Sequence, residues 1–274
     1  MRKRGEYMEL QLWKEILGPY RQAVDELMVK FNHIIEEHHN AGLYSPIEQV
    51  KGRVKSISSI LEKLQRKNQN INELEEKIED LAGIRILCQF VEDIDKVVQL
   101  IQNRSDMEIK SIKDYIANAK DSGYRSYHMI IYYDVNTIHG VKRVQAEIQI
   151  RTLAMDFWAT VEHSLAYKYQ GNIPSDIRAR LSGAADALLL LDHEMSSVRN
   201  VIMDAQASNK AKETLVADIL SNIQNLYKVA NKREIVKIQD EFYKVYQGGD
   251  FDELSHFGKQ LDIIAEGYRA QSIS

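Results

Sequence analysis

Apolar residues recur at intervals of three and four near the start of the chain, with Leu17, Tyr20, Val24, Leu27, Phe31 and Ile34 on one side. This is the period of an amphipathic helix, predicted over residues 9–40 and ended by Asn40-Ala41-Gly42. Ser45-Pro46-Ile47-Glu48 reads as an N-cap, a proline at the first helical position and a capping-box acid, so a second helix is expected from there to Lys67. The period then drops to two. Strands are predicted at 82–90, 107–115, 126–134 and 141–151, with a helix at 92–103 whose opening acids Glu92, Asp93 and Asp95 suit its dipole. Asn136 and Gly140 mark a turn that makes the last two strands antiparallel neighbours. The rest reads as helix, at 153–170, at 175–208 and in a charged stretch beyond. There Leu215, Ile219, Leu220, Ile223, Leu226, Tyr227 and Val229 form an apolar stripe, and Gln247-Gly248-Gly249-Asp250 precedes a last helix. This order predicts an α+β fold, a mixed and mainly antiparallel β-sheet flanked by N- and C-terminal helices. Residues 1–205 are expected to form one domain and 206–274 a helical extension.

The segment from Val144 to Thr152 alternates strictly. Gln145, Glu147, Gln149 and Arg151 therefore line one sheet face, while Val144, Ala146, Ile148 and Ile150 enter a core. By itself such a polar face is equally the solvated side of an amphipathic strand. Chemistry has to be argued from what else the chain brings to it.

Composition narrows the field. A net charge of -4 over 274 residues supplies no general basic field, so any phosphate must be met by a local patch. The single cysteine, Cys88, excludes an internal disulfide and a cysteine-rich zinc site, and its apolar strand makes it a structural thiol. No apolar run approaches the roughly 20 residues of a spanning helix, and the basic start is not followed by a signal core. A cytoplasmic protein with no membrane contact is expected. There is neither a Walker lysine loop nor a G-x-G-x-x-G turn. His33, His38 and His39 read as solvated residues of a charged helix, and Trp13 and Trp158 as packing anchors.

Three local clusters carry candidate chemistry. On the expected second helix Lys55, Ser59, Lys63 and Arg66 fall in a stripe about 80° wide. Six basic residues stand against Glu62 alone between 51 and 67. Asp80, closing an acidic run, sits at the mouth of a strand like a magnesium ligand. Arg85 inside that strand must face the same site or pair with an acid. In Lys120-Asp121-Ser122-Gly123-Tyr124-Arg125-Ser126-Tyr127-His128, the glycine permits close approach to a ligand, Tyr124 offers a flat face for a base, and His128 can donate to phosphate.

Taken in order, the basic helix, Asp80 before Ala82-Gly83-Ile84-Arg85-Ile86, Gly123-Tyr124-Arg125-Ser126-Tyr127-His128 and Glu147-Ile148-Gln149-Ile150-Arg151-Thr152 form a specific set. It resembles the synthetase domain of the RelA/SpoT homologues in its short form, the small alarmone synthetases, over roughly residues 10–205. Pro19-Tyr20-Arg21-Gln22-Ala23-Val24 and Leu153-Ala154-Met155-Asp156-Phe157-Trp158-Ala159-Thr160 belong to the same match. The resemblance implies a nucleotidyltransferase-like synthetase fold. It also implies transfer of the β,γ-pyrophosphate of ATP to the 3′-hydroxyl of GTP or GDP, giving pppGpp or ppGpp and AMP. By the family pattern Arg53 and Arg85 sandwich adenine, and Lys55, Ser59, Lys63 and Arg66 hold the ATP phosphates. Asp80 and Glu147 bind Mg²⁺, with Glu147 also the base. Tyr124 stacks on guanine, Lys113, Lys120 and His128 approach the acceptor phosphates, and Gln149, on the acceptor side, and Arg151 are supporting candidates on the strand face of Glu147.

A homotetramer is implied as well. The family's hydrolase domain is built around a His-Asp pair; no such dipeptide occurs here and the chain before the synthetase region is short, so synthesis without hydrolysis is expected. Family members stimulated by pppGpp carry two lysines on the first helix, followed by phenylalanine, threonine and asparagine. The matching positions here are Met28, Asn32, Gln49, Lys51 and Asp156, so strong stimulation is not expected. The alternatives are a single-stranded RNA binder using the basic helix and Tyr124, and an oligomerisation scaffold built on the helical tail.

Overall fold

The computed structural model describes the backbone of residues 2–169, 173–228 and 230–273, with side chains described from 12 to 268 within those segments. Val229 and residue 170, the expected end of a helix, lie outside the described residues. In chain order the elements are α1 (Arg2–Asn40), β1 (Gln49–Val54), α2 (Ile57–Lys67), a 3₁₀ turn (Ile71–Glu73), α3 (Leu74–Lys77), β2 (Ala82–Cys88) and α4 (Val91–Gln102). There follow β3 (Glu108–Asp114), β4 (Tyr127–Thr137), β5 (Gly140–Thr152), α5 (Leu153–Lys168), α6 (Ser175–Leu226), α7 (Lys232–Gly248) and α8 (Phe251–Ile273). Contacts divide the chain into two compact units, one up to Ser196 and one from Ser197.

The first unit holds a five-stranded sheet of order β1-β2-β5-β4-β3. Only β2 and β5 run parallel; the other neighbours are antiparallel. The α+β class with a mainly antiparallel sheet is therefore as expected. Tyr20, Leu27 and Phe31 of α1 and Ile94, Val97 and Ile101 of α4 share one core with Ile84, Ile86, Met129, Ile131, Ala146, Ile148 and Ile150 of the sheet. Alternation sends the remaining side chains to the other face. The register then aligns Lys51, Arg85, Gln149, His128 and Lys113 in a single row across all five strands. Arg53, Gly83 and Glu147 form the next row.

One expected element is overturned. The stretch after Ser45-Pro46 does not begin a helix; it turns into β1, and α2 starts only at Ile57, capped by Ser56 through the Ser59 N–H. Ser45 Oγ instead accepts from Ile47 N–H at 3.2 Å, a local turn. The capping-box pattern is short-range, and pairing with β2 outweighs it. Gly52 permits this, because a Cβ there would lie 2.6 Å from Val24 and 2.8 Å from Met28 of α1. Lys55 consequently precedes α2, and Arg53 lies on a strand.

Trp13 and Trp158 are buried, as is Cys88, whose thiol burial pushes up. Among the described residues no helix is long and apolar enough to cross a membrane. The second unit, comprising the end of α6 with α7 and α8, has its own core of Ile219, Ile223, Leu226, Ile235, Phe242, Leu254, Phe257 and Leu261. Leu215 packs against that core, whereas Leu220 and Tyr227 of the expected stripe are exposed.

Candidate active site

On β5 the polar row is a connected chain of hydrogen bonds. Gln149 Nε2 donates to Glu147 Oε2 at 2.9 Å, and Arg151 donates to Gln149 Oε1. From β4, His128 Nδ1 lies 3.0 Å from Glu147 Oε1, and its Nε2 lies 2.9 Å from the Tyr124 hydroxyl. A proton on Nδ1 toward Glu147 leaves Nε2 to accept from Tyr124. Burial by itself would push the Glu147 carboxyl up. The hydrogen bond from His128, with the Gln149 amide, outweighs burial and holds it below the usual carboxylate range.

The acidic run before β2 is tied to β5 and β3. Lys142 Nζ donates to Glu75 at 2.6 Å, Lys110 Nζ to Glu79 at 2.8 Å, and Gln145 Nε2 to the Glu75 carbonyl at 3.2 Å. The run delivers Asp80 to the start of β2, where Lys55 and Lys63 each donate to one carboxylate oxygen at 2.7 Å. Burial raises this carboxyl, but the two lysines outweigh it and hold Asp80 below its ordinary value.

Two cavities open over this face. One, of about 230 Å³, is lined by Lys51, Gly52, Arg53, Asp80, Gly83, Ile84, Arg85, Glu147 and Gln149. The other, of about 340 Å³, shares Arg53, Arg85 and Gln149 and adds Tyr124, Arg151 and the α5 residues Ala159, Thr160, Glu162 and His163. The loop carrying Tyr124 is pinned from behind: Arg125 donates to Ile116 O at 3.2 Å and to Asp186 at 3.1 Å. Gly123 has φ +89°, and a Cβ on it would lie 2.8 Å from Ala185 Cβ. The Lys120 ammonium sits 4.5 Å from the Tyr115 ring centroid and 4.7 Å from that of Tyr124.

The fold thus brings Arg53, Lys55, Lys63, Asp80, Arg85, Lys120, Tyr124, His128, Glu147 and Gln149 to one face. Lys113 is exposed beside His128 in the common row, Arg66 is exposed on α2, and Ser59 is part of the α2 cap through a 2.9 Å bond with Ser56. Arg66, Ser59 and Lys113 line neither cavity, and Lys55, Lys63, Lys120 and His128 reach the site through Asp80, Tyr124 and Glu147 rather than by lining one. Arg85, which had to face the site or pair with an acid, does both: it lines both cavities and lies 3.1 Å from Asp156. Sequence reading missed Thr160, Glu162 and His163. They belong to α5, and which side of a helix meets the sheet is decided by packing.

Asp80 and Glu147 offer two hard, ionised oxygen donors on one cavity, and each carries charge close enough to act on the other. Among the described residues no group of three or more His, Cys, Asp or Glu could hold a metal. Two carboxylates completed by phosphate and water oxygens are the donor set magnesium takes in phosphoryl transfer.

Residues 52–172 match the model of a region found in RelA/SpoT proteins. The chain is 49% identical over 206 residues to the GTP pyrophosphokinase YjbM of Bacillus subtilis, covering 75% of this chain and 97% of that one. The crystal structure of small alarmone synthetase 1 from Bacillus subtilis bound to its product pppGpp superposes with a TM-score of 0.68 at 50% identity, covering 70% of this chain and 98% of the other. A GTP pyrophosphokinase family protein from Streptococcus pneumoniae gives a TM-score of 0.68 at 50% identity, over 71% of this chain and 96% of its own. On this identity and coverage, the chain belongs to the RelA/SpoT family, in the branch of the small alarmone synthetases.

Proposed function

We propose that this chain transfers the β,γ-pyrophosphate of ATP to the 3′-hydroxyl of GTP or GDP, forming pppGpp or ppGpp and AMP, without hydrolysing the product. The observation that carries this reading is Asp80 and Glu147 on one cavity, flanked by Lys55 and Lys63 and continuous through Arg53 and Arg85 with a second cavity at Tyr124. The 3′-oxygen attacks the β-phosphorus, the bond from that phosphorus to the α,β-bridging oxygen breaks, and AMP leaves. Glu147, kept ionised by its neighbours, accepts the hydroxyl proton.

Lys55 and Lys63 hold Asp80 in the free protein. ATP phosphates take over these lysines and release the Asp80 oxygens, so every charge keeps a partner. Magnesium held by Asp80 and Glu147 would neutralise phosphate charge. Arg53 and Arg85 offer planar cations for the adenine, and Ser59 and Arg66 extend the phosphate-binding stripe along α2. Guanine stacks on Tyr124 once Lys120 leaves that ring for the acceptor phosphates, which Lys113 and His128 also approach. An RNA backbone would meet two carboxylates at the centre of this face, which disfavours the RNA-binding reading.

The test is to incubate purified protein with ATP, Mg²⁺ and GTP or GDP and identify products by mass. AMP in equal amount with pppGpp or ppGpp is expected; ATP cleaved to ADP, or no AMP, sinks the proposal. The alarmone incubated with Mn²⁺ alone should remain intact.

Gly123→Ala should weaken the acceptor site. The backbone there favours glycine, and the methyl group would press on α6, displacing Tyr124. A rise of about tenfold in the GTP KM is expected, corresponding to roughly 1.4 kcal/mol. An unchanged KM would show that the loop position is not set by this contact.

Added pppGpp should not strongly stimulate the initial rate. Lys51 and Asp156, at two of the positions matching the stimulated relatives, lie 3.7 Å from each other within one chain, and the Asp156 carboxylate faces Arg85. Rates measured over a pppGpp series check this, and a clear increase would contradict it.

A further inference from the structure

Arg85 and Arg151 stand on the neighbouring parallel strands β2 and β5 and wall the second cavity. Two guanidiniums this close repel, and Arg151 is only 3% exposed, so its charge cannot be left to solvent. The acid that answers both comes from α5. Asp156 Oδ1 lies 3.1 Å from Arg85 Nη1 and 3.5 Å from Arg151 Nη1, and its side chain is 12% exposed. Oδ1 and both arginine Nε atoms have no hydrogen-bond partner among the described residues. The triad is therefore held by charge at a distance rather than by a bidentate fork. Lys51, half-exposed at 3.7 Å from Oδ2, adds a third and weaker cation.

Asp156 itself lines neither cavity. Thr152 caps α5, placing Asp156 in the first turn, and the Thr152 hydroxyl donates to Asp192 of α6 at 2.6 Å. The carboxylate is thus presented from a fixed backbone rather than from a mobile loop.

We propose that Asp156 is a positioning residue: by answering both charges it holds the Arg85 guanidinium beside Arg151 and so sets the plane that Arg85 offers to the donor nucleotide. The proposal rests on the synthetase reading only for the identity of that nucleotide. With the carboxylate in place, one anion offsets two cations, the wall of the cavity is fixed before the ligand arrives, and a net positive charge remains for the phosphates. Without it the two guanidiniums separate, and the stacking face offered by Arg85 is lost.

Asp156→Asn keeps the shape and removes the charge. Its ATP KM should rise about tenfold while kcat and the GTP KM change by less than about threefold. Asp156→Glu, which retains the charge, should recover much of the loss. In the Arg85→Ala background the Asp156→Asn change should add little, since its main partner is already gone. Direct titration of ATP by calorimetry separates this from the synthetase reading: weakened ATP binding in Asp156→Asn supports the proposal even if no alarmone forms. The proposal is overturned if ATP binds the asparagine variant as well as or better than the wild type. Failure of the glutamate variant to recover, additive effects with Arg85→Ala, equal shifts in both KM values, or no ATP binding by the wild type would also overturn it.

Discussion

Glu147→Gln should reduce pyrophosphate transfer by at least about 10³-fold with the fold intact. Glutamine has the same shape, and its carbonyl oxygen can still accept from His128. Its amide cannot take a proton from the 3′-hydroxyl and is a poor ligand for a hard cation. Because one side chain is assigned both duties, no neighbour substitutes: Gln149, two residues along the same face, is already an amide. The local cost is confined to the contact with Gln149 Nε2, where two donors meet unless one amide turns over. That is worth about 1 kcal/mol, a shift of a few degrees in Tm at most for a chain of this size. Turnover and thermal midpoint measured on the same preparation check both halves. Near-normal turnover would remove Glu147 from its assigned role.

Asp80→Asn should lower turnover by a similar order and raise the Mg²⁺ concentration needed for half-maximal rate, because it removes the other charged donor on the cavity. It also strips the free protein of the acceptor shared by Lys55 and Lys63, whose side chains are 16% and 22% exposed. Solvent at the cavity mouth screens that loss, which we set at about 1 kcal/mol near neutral pH. The lysines hold the Asp80 carboxyl below its ordinary value, so its contribution is fully present above the unfolded pKa of about 3.9 and is lost as pH falls through the folded value. The stability gap between wild type and Asp80→Asn should therefore narrow on acidification. Urea unfolding near pH 7 and near pH 3 measures it. A gap that stays constant would mean that the two lysines do not set the charge state of Asp80.

Much of this site was legible in the chain. Strict alternation from Val144 to Ile150 placed Glu147 and Gln149 on one face, and the structure buries Val144, Ala146, Ile148 and Ile150 on the other. The helix of Tyr20, Leu27 and Phe31 was readable for the same reason: a regular backbone repeats side-chain direction at a fixed angle, so spacing alone reveals a face. The stripe of Lys55, Ser59, Lys63 and Arg66 was found by helical spacing, although Lys55 lies outside the helix. Lys55 and Lys63 converge nonetheless, because both are drawn to the oxygens of Asp80. The acidic run points by itself to Asp80 alone; that Glu75 and Glu79 tie it down leaves no local signal, since their partners Lys142 and Lys110 are 67 and 31 residues away.

By itself the sequence determined the α+β class, the polar face of β5 and the identity of nearly every charged residue on it, because these follow from local periodicity and residue chemistry. Tertiary structure decided that the chain after Pro46 is a strand, that Arg53 stands in the row of Glu147, and that α5 turns Asp156 under Arg85 and Arg151. Those outcomes depend on pairing energy between distant segments and on close approach, as where Gly52 admits α1. Neither leaves a periodic trace along the chain.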